Sequence, residues 1–103
     1  MRCIWQKPAR QSVIDIVAYI IFYYGTNAKK KFFAAVNRTV KLLSKQPNMG
    51  LIDPLFSDRS ETYRSIIVGN RNKLVYYIKN NTIQIVAFWD CRCDPVAQAK
   101  KIK

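Results

Sequence analysis

The side chains of this sequence that could do chemistry are cations set between aromatics on strand-like segments. Along 72–79 the alternation of a strand puts Lys73, Val75, Tyr77 and Lys79 on one face and Leu74, Tyr76 and Ile78 on the other. The first set reads as the wet face. Arg64, in the segment 62–68, is placed with Lys73 and Lys79, and Arg71 and Arg92 fall at strand ends nearby. Cations neutralise phosphate and an aromatic face accepts an unstacked base. Together with Tyr63, Tyr77 and Trp89 this surface suits nucleic acid, with Arg71, Tyr77 and Lys79 as binding residues. On the residues alone the alternative stays open, in which the aromatics are core and the cations are solvated strand positions.

Charge points the same way. Eighteen Lys and Arg against six Asp and Glu give 18 − 6 = +12, and a polypeptide so basic favours nucleic acid, an acidic protein or an anionic surface. The chain has no His, and Glu61 is its one Glu, so the usual proton donor at neutral pH is missing. Cys3, Cys91 and Cys93 are an odd set, expected as reduced thiols rather than a disulfide framework. Without His they fall short of the four ligands of a structural zinc site, so neither metal nor cofactor is expected. The apolar stretch 13–24 carries Asp15 and is shorter than the roughly 20 residues needed to span a bilayer. No signal-peptide pattern opens the chain, so the expected setting is the cytoplasm, with no membrane partner.

The 103 residues suit a single domain, 1–103. Residues 1–6 read as a short strand closed by Pro8, where a helix starts. Val13, Ile16, Val17, Ile20 and Tyr24 follow helical spacing up to a stop at Gly25. Ile14, Ala18 and Ile21 make a second apolar stripe, which belongs either to a deeply buried helix or to one that faces a partner. Phe32, Ala35, Val36, Val40 and Leu43 mark a second helix before Pro47 and Gly50. The Lys29–Lys31 run sits where cations oppose the helix dipole, so helix stability alone does not account for it, and a solvated face is the commoner meaning of such a run, ahead of a binding patch. Beyond a loop at 49–60, three strands are expected at 62–68, 72–79 and 82–89, with turns at Gly69-Asn70 and Asn80-Asn81. Asp94-Pro95 ends the last strand and leaves a short basic helix or tail. The fold class is therefore α+β: an N-terminal strand and an antiparallel helix hairpin packed on a curved antiparallel sheet.

The order Trp5, Ala9, Val13, Ile16, Tyr19, Ile20 and Gly25, then Ala28, Phe32, Leu43, Pro47 and Gly50, resembles the opening of the RelE/ParE superfamily of toxins, a plasmid-stabilisation family. The second half resembles it more specifically, in Tyr63-Arg64, in Lys73-Leu74-Val75-Tyr76-Tyr77-Ile78 and in the closing Phe88-Trp89-Asp90-Cys91-Arg92-Cys93-Asp94-Pro95. The resemblance spans nearly the whole chain. It implies a growth-inhibiting toxin held in a hetero-oligomer by an acidic cognate antitoxin.

Two target classes follow from the resemblance. RelE-like members are mRNA interferases that cut in the ribosomal A site without a metal, and ParE-like members inhibit DNA gyrase. Arg64 and Lys73 match two basic strand positions of the family, and Arg92 matches the cation after the last strand. These three are the catalytic candidates for metal-independent endoribonuclease chemistry, with Glu61 as a further candidate base. Ile66 stands where the ribonuclease has a lysine, however, and no Tyr or His follows Trp89. Gyrase inhibition is therefore the expectation, with ribosome-dependent cleavage as its alternative. A non-toxic nucleic-acid-binding module is the weaker one.

Overall fold

A computed structural model describes residues 1–102. The elements are β1 (Arg2–Trp5), α1 (Lys7–Lys45), β2 (Leu51–Ile52), a 3-10 turn (Pro54–Phe56), β3 (Arg64–Val68), β4 (Asn72–Lys79), β5 (Thr82–Asp90) and α2 (Pro95–Lys100). Gly25 interrupts α1 at φ 86° and ψ −175°. That extended, positive-φ conformation is open to a residue without a Cβ, and it turns α1 into two arms, 7–24 and 26–45. The arms run antiparallel: Val13 shares a hollow with Phe33 and Val36, and Ile20 shares another with Ala28 and Phe32. Ser44 at the far end donates from Oγ to the Met1 carbonyl at 2.6 Å.

The five strands lie in the order β1-β5-β4-β3-β2. The sheet is mixed rather than wholly antiparallel, because β1 pairs parallel to β5 while the other neighbours are antiparallel. Residues 49–60 are not all loop, since Leu51 and Ile52 pair with Ser65 and Arg64 as β2. Asn80 and Asn81 both take positive φ, 52° and 59°, which matches the twist of a two-residue hairpin between Lys79 and Thr82.

A core fills the space between the hairpin and the sheet. Ala9, Phe32, Val36 and Leu43 of the helix pack on Leu74, Tyr76, Ile83, Ile85 and Phe88. Phe32 meets the Phe88 ring edge-on at 5.9 Å. The fully buried Tyr76 also reaches beyond the sheet, donating from its hydroxyl to the Pro47 carbonyl at 2.7 Å and accepting from the Gly50 N–H at 2.9 Å. It therefore fixes how the chain leaves the helix. A Cβ on Gly50 would lie 2.7 Å from that hydroxyl oxygen, so the close approach needs glycine.

The opposite face of the sheet, expected to be wet, is closed by a second core. Phe56, Tyr63, Val75, Val86, Ala87, Trp89 and Ala99 are buried there together. A bulge fits β5 to this second core. Val75 pairs with Ala87 but Tyr76 with Ile85, which leaves Val86 as an extra residue on the covered face. The 53–63 segment and α2 form the cover. Phe56 stacks on Tyr63 at 4.8 Å, and the Arg59 guanidinium donates to the carbonyls of Ala99 and Ile102, each at 2.8 Å. Periodicity within the strands cannot show this, because the covering residues come from distant turns.

The cover is held by charge. Asp53, with its side chain 3% exposed, lies 2.6 Å from Lys73 Nζ and accepts from Leu55 N at 3.0 Å. Lys73 Nζ also lies 5.5 Å from the centre of the Trp89 ring. Burial works to raise the Asp53 pKa, but the hydrogen bonds from Lys73, Leu55 and Ser65 and the Lys73 charge hold it below the ordinary carboxylate value.

Two outcomes follow. Tyr76→Phe leaves the Gly50 N–H and Pro47 carbonyl unpaired and should cost about 1–3 kcal/mol, read as a lower denaturation midpoint at unchanged slope. The depressed Asp53 pKa contributes stability that is fully present above the unfolded value near ~3.9 and is lost as pH falls through the lower folded one. Acidification from neutral pH to about pH 2 should therefore destabilise wild type more than Asp53→Asn, as measured by urea unfolding across that range.

Candidate binding cleft

Arg64 and Lys73 stand on opposite faces of the sheet. Residues directly opposed in an antiparallel pair share a face, and Arg64 opposes Tyr76 on the hairpin side while Lys73 opposes Ile67 and Trp89 on the other. The placement of Arg64 with Lys73 and Lys79 is thus corrected by the register of β3 on β4. Arg64 donates to the carbonyls of Gly50 at 2.8 Å and Asn48 at 3.3 Å, beside the Tyr76 hydroxyl. Lys73 is the clamp on Asp53.

Tyr77 packs on Tyr63 at 5.2 Å, and its hydroxyl accepts from Gln6 Nε2 at 3.4 Å. Lys79 lies 3.2 Å from Glu61, so the candidate base is engaged by a cation at the edge of the covering segment. The structure therefore spreads Arg64, Lys73, Tyr77 and Lys79 over two faces and sets each against a neighbour within the chain.

Arg71 and Arg92 are the nominated residues that come together. Asn72 pairs with Asp90 at the end of the β4–β5 ladder, and Cys91 N donates to the Arg71 carbonyl at 2.6 Å. Arg92 closes a fork on Asp90, through Nε at 3.0 Å and Nη2 at 2.7 Å, while its backbone N–H reaches the same carboxylate at 2.8 Å. The side-chain hydrogen bond from Arg92 holds Asp90 below the usual carboxylate range against the opposing effect of burial, helped by the Arg92 backbone N–H and by the charges of Arg92 and Arg71. The carboxylate in turn raises the Arg92 pKa, so this guanidinium is charged at every physiological pH.

This sheet end forms one wall of a cleft of about 300 Å³. The other wall is the hairpin, which contributes Ile16, Tyr19, Ile20 and Tyr24 from the first arm and Lys31, Phe32 and Ala35 from the second. Tyr19, Tyr24 and Lys31 were not among the site residues expected from sequence. The available signal was the aromatic density of the run 19–24, which helical periodicity assigns to a core stripe. Much of that run is instead on the surface: Phe22 is 81% and Tyr23 63% exposed. The Tyr23 ring lies 4.6 Å from that of Tyr19, tilted by 42°, so the exposed tip is continuous with the cleft.

Cleavage of RNA needs one group to activate the 2′-hydroxyl, one to stabilise the phosphorane and one to protonate the leaving oxygen, all around one phosphate. The cleft offers guanidinium and ammonium charge, tyrosine rings and an aliphatic floor. Among the described residues, no group of three or more His, Cys, Asp or Glu stands where it could hold a metal. No helix there is long and apolar enough to cross a membrane.

The family model described as the ParE toxin of type II toxin–antitoxin systems, parDE, matches residues 3–95. No curated protein matches the chain. Among solved structures, the chromosomal ParDE toxin–antitoxin system from P. aeruginosa contains a chain similar in fold. The TM-score is 0.71 at 20% identity, over 87% of this chain and 95% of that one. The family model runs from β1 to the start of α2, and the chain therefore belongs to the ParE toxin family of type II toxin–antitoxin systems.

Proposed function

We propose that this toxin arrests growth by binding and inhibiting DNA gyrase, without cutting RNA, and that its own antitoxin neutralises it in a hetero-oligomer. The observation that carries this reading is the engagement of the nominated catalytic cations. Arg64 serves the 48–50 turn, Lys73 serves Asp53 on the opposite face, and Arg92 is forked on Asp90. Three cations divided in this way do not converge on one phosphate.

Binding has better support. An exposed aromatic cluster beside cations is the composition of an interface centre, where aromatics supply area and Arg supplies directional hydrogen bonds. We assign Phe22 and Tyr23 at the hairpin tip to the gyrase contact, with Arg71 and Arg92 flanking it. Tyr77 and Lys79 are assigned to fastening the covering segment. The proposed target places the toxin in the cytoplasm.

Three readouts test this: inducible expression without antitoxin, mapping of mRNA 5′ ends, and a supercoiling assay on purified toxin. Growth arrest with intact mRNA and blocked supercoiling is the expected result. Codon-phased new 5′ ends with unimpaired supercoiling would instead establish the ribosome-dependent ribonuclease. The variant Phe22→Ser/Tyr23→Ser should keep wild-type stability and inhibit supercoiling at least about tenfold more weakly.

A further inference from the structure

Cys91 and Cys93 are exposed free cysteines, two residues apart, just beyond the end of β5. The chain makes a tight turn there. Cys91 N donates to the Arg71 carbonyl at 2.6 Å and Cys93 N to the Asp90 carbonyl at 3.0 Å, so residues 90–93 form a hydrogen-bonded reverse turn with Arg92 between the two thiols. Arg92 N and its guanidinium both bind the Asp90 carboxylate. Residues two apart on an extended strand have Cα atoms about 6.6 Å apart, near the outer limit of roughly 6.8 Å that a disulfide spans. A turn draws them closer, within disulfide reach.

The third cysteine is differently placed. Cys3 is half-buried, its Sγ donates to the Val40 carbonyl at 4.0 Å, and burial pushes its thiol up against the opposing charge of the N-terminus. Among the described residues neither Cys91 nor Cys93 has a hydrogen-bond partner, and neither belongs to a core cluster. Packing does not account for them. Burial first, then the charges of Asp90 and Cys93, push the Cys91 thiol up, with Lys73 opposing, so the two sulfurs are close enough to act on each other. A thiol held protonated in this way suits the second, resolving step of an oxidation.

We propose that Cys91 and Cys93 are a dithiol switch, which a hydroperoxide closes to a 91–93 disulfide and a small thiol reopens, and that closure takes Arg92 off Asp90. With hydrogen peroxide, the Cys93 thiolate attacks the O–O bond, an S–O bond forms, and the hydroxide expelled takes up a proton. The Cys91 sulfur then attacks that sulfenic sulfur, the S–O bond breaks, the S–S bond forms and a second water leaves. Two thiols and one peroxide give one disulfide and two waters, the sulfurs losing the two electrons that the peroxide gains. Two molecules of a small thiol reverse the step by exchange and are themselves oxidised. The closed ring encloses Arg92 alone, so it resets the backbone on both sides of that residue, whereas the Arg92 and Cys93 N–H bonds to Asp90 belong to the open turn. Arg92 stands on the cleft rim, and its release changes the charge presented there. The switch is a property of the free toxin and holds whatever the target.

The test is to treat full-length toxin with hydrogen peroxide, count thiols after unfolding, map cross-links by peptide mass spectrometry and follow the Arg92 Nε–H by nuclear magnetic resonance. The count should fall from three thiols to one, with the peptide that holds Cys91 and Cys93 lighter by two hydrogens and the Arg92 signal shifted. Dithiothreitol should restore all three thiols and the original signal. Cys3→Ser keeps the pair and should fall from two thiols to none. In Cys91→Ser the Arg92 signal should stay under peroxide where reduced protein has it. A count that remains at three, Cys93 converted to sulfinic acid without a cross-link, or a disulfide joining two chains would overturn the pairing. A 91–93 disulfide that leaves the Arg92 signal unmoved would overturn the switch.

Discussion

The contact on which the rest of the molecule depends is the buried ion pair between Asp53 and Lys73. A cation in the middle of β4 would ordinarily mark that face of the sheet as solvated. Here a carboxylate from the 3-10 turn comes down on it, and Trp89 lies beneath the ammonium. The 53–63 segment is thereby fixed over the sheet, and Phe56 and Tyr63 stack over the strand residues. Once that face is closed, β4 and β5 are buried on both sides. Breaking such a pair by removing one partner strands a charge in a dry place and is far more damaging than replacing both partners together.

Closure of that face decides where the molecule can act. The helix side of the sheet is filled by the hairpin and the other side by the covering segment, which leaves the periphery: the sheet end around Arg71 and Arg92, and the tip of the hairpin. The kink at Gly25 shapes that tip. Phe22 and Tyr23, just ahead of that kink, remain in solvent beside a cationic cleft. The basic charge of the chain is thus divided between cations that secure the fold, such as Lys73 and Arg59, and cations such as Lys31 and Arg71 that stay available to a partner.

Local signals in the sequence carried much of the fold. The alternation at 72–79 coincides with β4 end to end, Asn80-Asn81 forms the positive-φ turn its residues favour, and Gly25 divides the helix where helical spacing ends. What the sequence hid was set by distant partners. The parallel pairing of β1 with β5, the two-residue β2 and the side of the sheet taken by Arg64 all depend on register across the sheet. The second core was invisible for the same reason, since Phe56, Tyr63 and Ala99 reach Val75 and Trp89 from outside the strands. Of the candidate site, Arg71 and Arg92 were legible as cations at strand ends, while Lys31, Tyr19 and Tyr24 were read as parts of helices and meet the arginines only after folding.

The central claim is that Lys73 holds the fold and takes no part in chemistry. The most direct test is to replace the whole ion pair by apolar residues of similar size, as Asp53→Leu/Lys73→Met, and to measure growth arrest, supercoiling inhibition and thermal unfolding on the same protein. A folded double variant that matches wild type in growth arrest and in the supercoiling assay is the predicted result. A variant that folds with wild-type stability but has lost toxicity would contradict the account and return Lys73 to the reacting site.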